Sequence, residues 1–450
     1  MAKEPVLGVQ GRAGDDVSSA SSAPAPQTDI APEKEAKIAA KKKSDFVLRT
    51  GLSFVMMAFV LGVIWCGHVA VCIFVVMCEF FIFKEILDLS YAAAKEQPGR
   101  KVPHFRLTNW GFFATAIFFI YGKSVMAHFA DGNAFFMETP VAAYMMRHHT
   151  FLAFCMYVMC FLGFVMSLET GSYMFQFGAF ARTHITIFIV VLQANFMILN
   201  IKSGMIWFLL PFILVIVNDS FAYFVGRAIG KTPLVTLSPK KTVEGFIGGA
   251  VFTLLAAVFF AWLLSKFEFM YCPKPDFTDC GLFCRATCDK PSLFVSQPVA
   301  LPPNVLRIFS DLFGPKFSIR LAPVQLHALA LSLFASIVAP FGGFFASGLK
   351  RAFGVKDFAN LIPGHGGMTD RMDCQFLMAM FTYVYTINFV HEMSPDVAKI
   401  LSLLIDLSVS EQQELLVALL EILKRKGVDV ASVVTEQLST AAEAAVDALD

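Results

Sequence analysis

The chain of 450 residues is 56% hydrophobic, carries 49 Phe and only 16% charged residues, and has a formal net charge of +1. Globular domains average roughly 25% charged residues, so this composition excludes a string of ordinary soluble domains. No basic patch interleaved with aromatics points to nucleic acid. Several apolar runs approach or exceed ~18 residues, the length of a membrane helix, and predict an all-α, polytopic transmembrane helix bundle.

Residues 1–45 are rich in Ala, Ser, Pro, Lys and Glu and close on Lys41-Lys42-Lys43, which predicts a disordered tail. No apolar segment follows Met1, so a signal peptide is not expected there. Apolar runs then occur at about Gly51–Trp65, Val69–Leu89, Trp110–Phe129, Phe151–Leu168 and Ile185–Leu199. Others lie at about Ile206–Val225, Phe246–Leu264, Leu326–Ala346 and Cys374–Val390. Together they predict about nine spans in a catalytic membrane domain over residues 46–393.

Loop charges set the expected orientation. Lys41 to Lys43 and Arg49 favour a cytosolic N-terminus, and Lys95, Arg100, Lys101 and Arg106 suit the cytosol after two crossings. Alternation then places Arg227–Lys241 and Lys350–Arg371 on the same cytosolic face. It puts the loop of about residues 266–322 on the opposite side, in the lumen or outside. That loop holds Cys272, Cys280, Cys284 and Cys288 without the paired C-x2-C spacing of zinc sites. An oxidising compartment favours disulfides among them, with free thiols and a metal site as alternatives. Residues 394–450 read as an amphipathic helix, with Leu415, Leu416, Leu419, Leu420, Ile422 and Leu423 on one side, and a tail. A surface or packing role is the expectation for that helix. Counting spans leaves the side of the C-terminus open.

Three constellations carry chemistry. Asn218-Asp219-Ser220 lies near the end of an apolar run, where an ionisable residue is costly and points to function; pairing with Arg227 is the structural alternative. Ser238-Pro239-Lys240-Lys241-Thr242-Val243-Glu244-Gly245 offers hydroxyls and ammonium groups to a polyphosphate, although positive-inside topology alone produces such lysines. It is not a P-loop. The third runs from Ser347 to Asp373 and places Lys350, Arg351, Lys356 and Arg371 among Asp357, Asp370, Asp373 and Gly364, Gly366 and Gly367. Asp370 and Asp373 stand three apart where a helix should begin, so both can face one point. Carboxylate pairs with substrate phosphates are how Mg²⁺ is usually held. His365 could donate to a phosphate or simply make a structural hydrogen bond. These residues point to metal-dependent transfer from a polyphosphate to a membrane-borne substrate.

The third constellation resembles the signature of the phosphatidate cytidylyltransferases of eukaryotes. Its positions are filled by Ser347, Leu349, Lys350, Arg351, Lys356, Asp357, Pro363, His365, Gly366, Gly367, Asp370, Arg371 and Asp373, over 27 residues. Asn218-Asp219-Ser220, the Leu237–Phe246 stretch and the segment around Glu411–Gly427 are similar too. Leu361 and Met372 depart from the Thr and Phe common in eukaryotic members, which bears on packing or substrate preference. The resemblance implies CTP and phosphatidic acid as substrates, CDP-diacylglycerol and pyrophosphate as products, and Mg²⁺ as cofactor. It implies Asp219, Asp370 and Asp373 as metal ligands. Lys240, Lys241, Lys350, Arg351 and Arg371 would hold phosphates, with Ser238, Ser347, Lys356 and His365 as further substrate contacts. A homodimer in the endoplasmic reticulum membrane, its active site facing the cytosol, is the accompanying expectation. The rivals are a CTP-dependent polyprenol (dolichol) kinase and a transporter with Asp219 in its path.

Overall fold

Apolar runs fold as helices because hydrocarbon offers the backbone no hydrogen-bond partners other than its own. The computed structural model describes residues 51–52, 54–95, 105–132, 139–235, 238–274, 283, 286–298, 320–355, 357–359, 366–390, 404 and 407–427. The N-terminal tail, Lys356, Pro363, Leu361, His365, Cys280, Cys284 and the last residues of the C-terminal tail lie outside the described residues.

The helices in order are α1 (Phe54–Cys66), α2 (His68–Lys95), α3 (Phe105–Gly132), α4 (Pro140–Arg147) and α5 (His149–Met166). Then come α6 (Tyr173–Ser203) and α7 (Met205–Ile229). A hairpin of β1 (Pro233–Val235) and β2 (Ser238–Thr242) precedes α8 (Val243–Leu264). A second pair, β3 (Gln297–Pro298) and β4 (Arg320–Leu321), leads to α9 (Pro323–Ile337) and α10 (Pro340–Ala352). The chain continues with α11 (Thr369–Phe389) and α12 (Val409–Arg425). The two short antiparallel strand pairs are small additions to an otherwise all-α fold.

Among the described residues, six helical stretches are long and apolar enough to cross a membrane: Arg106–Phe129, His149–Met166, Tyr173–Ser203, Met205–Ile229, Val243–Leu264 and Pro323–Ala352. The other three predicted runs are helical too, as α1, α2 and α11. However, α1 is short, α2 carries Glu79, Lys84, Glu85 and Asp88, and α11 opens with Asp370, Arg371 and Asp373. The protein is an all-α polytopic membrane protein. Phe119, Phe154, Met159, Leu255 and Phe259 are exposed on its flanks, as lipid-facing side chains should be.

The bundle is built around α7, which buries Ile206, Trp207, Leu210, Leu214 and Asn218. Its closest partner is α8, which turns Gly245, Gly249, Thr253, Ala257 and Ala261 inward at four-residue spacing. Such a stripe of small residues lets membrane helices approach closely. A Cβ on Gly245 would stand 2.6 Å from the Ala222 carbonyl oxygen, and one on Gly249 3.0 Å from Asn218 Oδ1. Gly204 turns the chain between α6 and α7 at φ +138, a conformation that favours glycine.

Contacts gather the helix-joining segments into two groups. In one, Asp88 pairs with Arg106 at 2.9 Å, and Glu85 from α2 caps the start of α11. Glu85 accepts hydrogen bonds from the Met368 N–H at 2.7 Å, the Thr369 N–H at 2.9 Å and the Thr369 hydroxyl at 2.8 Å. In the other, Lys274 N–H donates to the Lys202 carbonyl at 2.8 Å. Cys272 and Cys288 form a disulfide there, Tyr271 stacks on Phe294, and Glu268 accepts from the Cys288 N–H at 3.1 Å.

Replacing Gly245 by Ala will push α7 and α8 apart, at about 1–3 kcal/mol for an overpacked contact. Glu85→Ala will leave the Met368 and Thr369 N–H groups without their acceptor, at a similar cost of about 1–3 kcal/mol. Thermal unfolding of the purified protein in detergent should show a lowered midpoint for both; an unchanged midpoint would remove the residue concerned from the packing described.

Candidate active site

Asn218 and its neighbour Asp219 border one cavity but make different contacts. Asn218 is buried against α8, its Oδ1 lying 3.5 Å from the Thr253 hydroxyl. Asp219 lines the same cavity, of about 180 Å³, together with Ala222, Tyr223, Gly226 and Arg227 from the following turns. Lys241 and Thr242 of the hairpin and Pro340 and Phe344 of α10 form its other walls. The hairpin brings Lys241 into this space, with Nζ 4.6 Å from the centre of the Phe344 ring. Two hydrogen-bonding devices fix the hairpin. Thr242 caps α8 by accepting from the Gly245 N–H at 3.2 Å. Glu244 accepts from the Lys231 N–H at 3.1 Å and the Thr232 hydroxyl at 2.9 Å.

The Ser347–Asp373 stretch is more helical than its polar composition suggests. Ser347 and Lys350 are half-buried on α10, Arg351 is exposed at its end, and Asp370 and Asp373 lie in the first turns of α11. Asp370 is held on several sides. Lys350 Nζ contacts its Oδ1 at 2.7 Å, and the Phe358 and Gly367 N–H groups donate to its Oδ2 at 3.2 and 3.1 Å. Gly366 sits beside that carboxylate at φ +82, where a Cβ would come within 3.3 Å of Asp370 Oδ2. Gly367 must also lack a side chain, since a Cβ would stand 2.7 Å from Glu85 Oε2.

Asp373 engages different partners. Its Oδ1 accepts from the Cys374 N–H at 2.8 Å. A Cβ placed on Gly343 would lie 3.5 Å from Asp373 Oδ2 and 3.8 Å from Lys241 Nζ, so α10 is bare where these two groups converge. Gly342 allows the same approach, because a side chain there would overlap the Asp373 backbone. Asp219 and Asp373 repel each other electrostatically, while Lys241 and Arg371 act favourably on Asp219 and Lys350 on Asp373. Elements distant in sequence, α7, β2, α10 and α11, thus deliver Asp219, Lys241, Lys350, Asp370, Arg371 and Asp373 to one region.

Other sequence candidates fall elsewhere. Ser238 stands at the far end of β2, opposite Val235. Lys240 is on β2 but its side chain, like Lys356 and His365, lies outside the described residues. Met372, the residue that departs from the common Phe, is buried, in keeping with a packing role. The sequence reading did not single out Glu85, Tyr223 or the Gly342-Gly343 pair, and took Arg227 only as a structural partner for Asp219. Of the first three, only Glu85 carried a signal, as an ionisable residue within an apolar run.

Among the described residues no group of three His, Cys, Asp or Glu side chains could hold a metal ion. The donor set is smaller: Asp219 and Asp373, two like charges in a low-dielectric setting. Such a pair suits Mg²⁺, which commonly takes one or two carboxylates and completes its shell with water and substrate phosphates.

The arrangement has known relatives. The model of the cytidylyltransferase family matches residues 47–389. The chain is 41% identical over 389 residues to phosphatidate cytidylyltransferase 1 of Arabidopsis thaliana, covering 86% of this chain and 89% of that one. It is 40% identical to phosphatidate cytidylyltransferase of Saccharomyces cerevisiae, over 89% of this chain and 85% of that one. Against phosphatidate cytidylyltransferase 1 of Homo sapiens the identity is 39%, over 85% and 80%. With the family model and these relatives matching across most of its length, the chain belongs to the cytidylyltransferase family.

Proposed function

We propose that this protein is a phosphatidate cytidylyltransferase, transferring the cytidylyl group of CTP to phosphatidic acid. The observation that carries this reading is the convergence of Asp219, Lys241, Asp373 and the Lys350–Asp370 pair in one partly enclosed region. Such a site suits a polyphosphate better than a polyprenol alcohol or a transported ion. Neither a polyprenol kinase nor a transporter is favoured for a chain with these relatives.

In the reaction, a phosphate oxygen of phosphatidic acid attacks the α-phosphorus of CTP. The new P–O bond forms as the bond to the β-phosphate breaks, and pyrophosphate leaves. A phosphate monoester is largely dianionic at neutral pH, its second pKa being about 6, so the attacking group needs no protein base. Catalysis then rests on positioning and charge neutralisation. Lys241, Arg227 and Arg371 are placed to bind the phosphates of CTP, and Lys350 to orient Asp370 and steady the turn at Gly366. Asp219 and Asp373 would hold Mg²⁺, which when bound offsets charge on the transferring and leaving phosphates. Asp370, already held by Lys350 and two backbone N–H groups, positions the start of α11 in this scheme. Arg351, Ser347, Ser238, Lys240, Lys356 and His365 are further candidates for substrate contacts at the rim.

The site faces the cytosol of the endoplasmic reticulum in this proposal, and the disulfide loop faces the lumen. The basic loops and the Cys272–Cys288 disulfide support that orientation. A homodimer is part of the same proposal.

Purified protein given labelled CTP, phosphatidic acid and Mg²⁺ should yield CDP-diacylglycerol and pyrophosphate, and chelation by EDTA should stop the reaction. Absence of both products would sink the proposal, and CDP with a phosphorylated polyprenol would identify the kinase instead. Asp373→Asn should lower kcat by about 10²-fold or more, the scale of losing one transition-state electrostatic contact, with unchanged membrane insertion. Near-normal turnover would take Asp373 out of the metal site.

A further inference from the structure

A second and larger cavity, of about 540 Å³, lies on the other side of α10 from the Asp219 cavity. Helix α10 divides the two by simple periodicity. Pro340 and Phe344, one turn apart, face Asp219 and Lys241, whereas Phe341, Phe345 and Leu349 face the second cavity. The remaining walls come from α2, α6 and α11 and are overwhelmingly apolar, including Ile189 and Phe376. Its size falls in the roughly 300–1,000 Å³ range of small-molecule sites. Asp373 lines it as well, so the carboxylate that converges with Lys241 at Gly343 also borders this apolar space.

One cation belongs to this cavity. Arg182, in the first half of α6, lies just ahead of the apolar run that begins at about Ile185 and borders this cavity. Its Nε is buried and has no hydrogen-bond partner. Its guanidinium is spread near the Phe175 ring, at 5.8 Å, and over Gly178, where a Cβ would lie 3.2 Å from Nη1. A buried donor without an acceptor calls for an explanation, and phosphate oxygens are the acceptors that a planar guanidinium matches best.

Resting on the cytidylyltransferase reading, we propose that this cavity is the chamber for phosphatidic acid and that Arg182 binds the lipid's phosphate headgroup. The acyl chains lie along Ile189, Phe341, Phe345 and Leu349, and the nucleotide occupies the Asp219 cavity across α10. The two substrates meet where α10 is reduced to Gly342-Gly343 beside Asp373. The combination of an apolar chamber, one cation and continuity with the reacting carboxylate selects an anionic lipid over a neutral one.

Steady-state kinetics of the full-length protein in micelles of defined dioleoyl phosphatidate content test this. Arg182→Gln should raise the KM for phosphatidate by about tenfold or more, the scale of a hydrogen bond to a charged group, with the KM for CTP unchanged. Arg182→Lys should recover part of the loss, and Ile189→Trp, which fills the chamber, should repeat the effect. Native mass spectrometry gives an activity-independent readout. Wild type should retain dioleoyl phosphatidate over dioleoyl phosphatidylcholine, and Arg182→Gln should lose that preference. An active Arg182→Gln protein with unchanged phosphatidate KM, or a wild type that retains both lipids equally, would overturn the assignment. If wild type binds phosphatidate selectively through Arg182 yet makes no CDP-diacylglycerol, the reaction proposed above fails while the lipid site stands.

Discussion

Two carboxylates held together inside a membrane bundle set the terms for the rest of this structure. Asp219 and Asp373 arrive from helices far apart in the chain and repel each other. Low-dielectric surroundings make that repulsion costly unless cations answer it. The answer is local: Lys241 on a hairpin, Arg371 in the first turn of α11, and Lys350 on α10. A divalent cation and the phosphates it carries would complete the balance.

Backbone proximity makes the cluster possible. Glycines at 342 and 343 let α11 lie against α10, and those at 366 and 367 let Asp370 and Glu85 reach the turn between them. Glu85 then ties that turn to α2 by three hydrogen bonds. The small-residue stripe on α8 does the corresponding work for α7, holding Asp219 against the hairpin that carries Lys241. Membrane helices gain little from the hydrophobic effect against one another, so close packing of this kind is what fixes their positions. Rigidity suits a reaction that depends on holding two phosphates in line.

The placement of α10 has a further consequence. One helix face meets a small cavity with acidic and basic walls, and the other meets a large apolar one. A nucleotide and a lipid differ in just this way, and a partition thinned by two glycines is where they could react without mixing their environments. Arg182 fits that division, being a cation placed in the apolar chamber.

Much was legible in the sequence. Hydropathy determined that the protein is a helical membrane bundle, because a run of apolar residues in hydrocarbon has little choice but to be a helix. The Ser347–Asp373 signature determined the family and most of the charged site, since the residue types that bind metal and phosphate are few. Only tertiary structure decided how those residues are used. Their spacing suggested that Asp370 and Asp373 share one ligand, yet Asp370 turns to Lys350 and the backbone while Asp373 converges with Lys241. Likewise Glu85, inside an apolar run, and Arg182, just ahead of one, gain their partners or surroundings only from folding, which places one under α11 and the other in a chamber. Sequence spacing describes neighbours along one helix; which carboxylate faces which cation is set by packing between helices, and no local pattern encodes it.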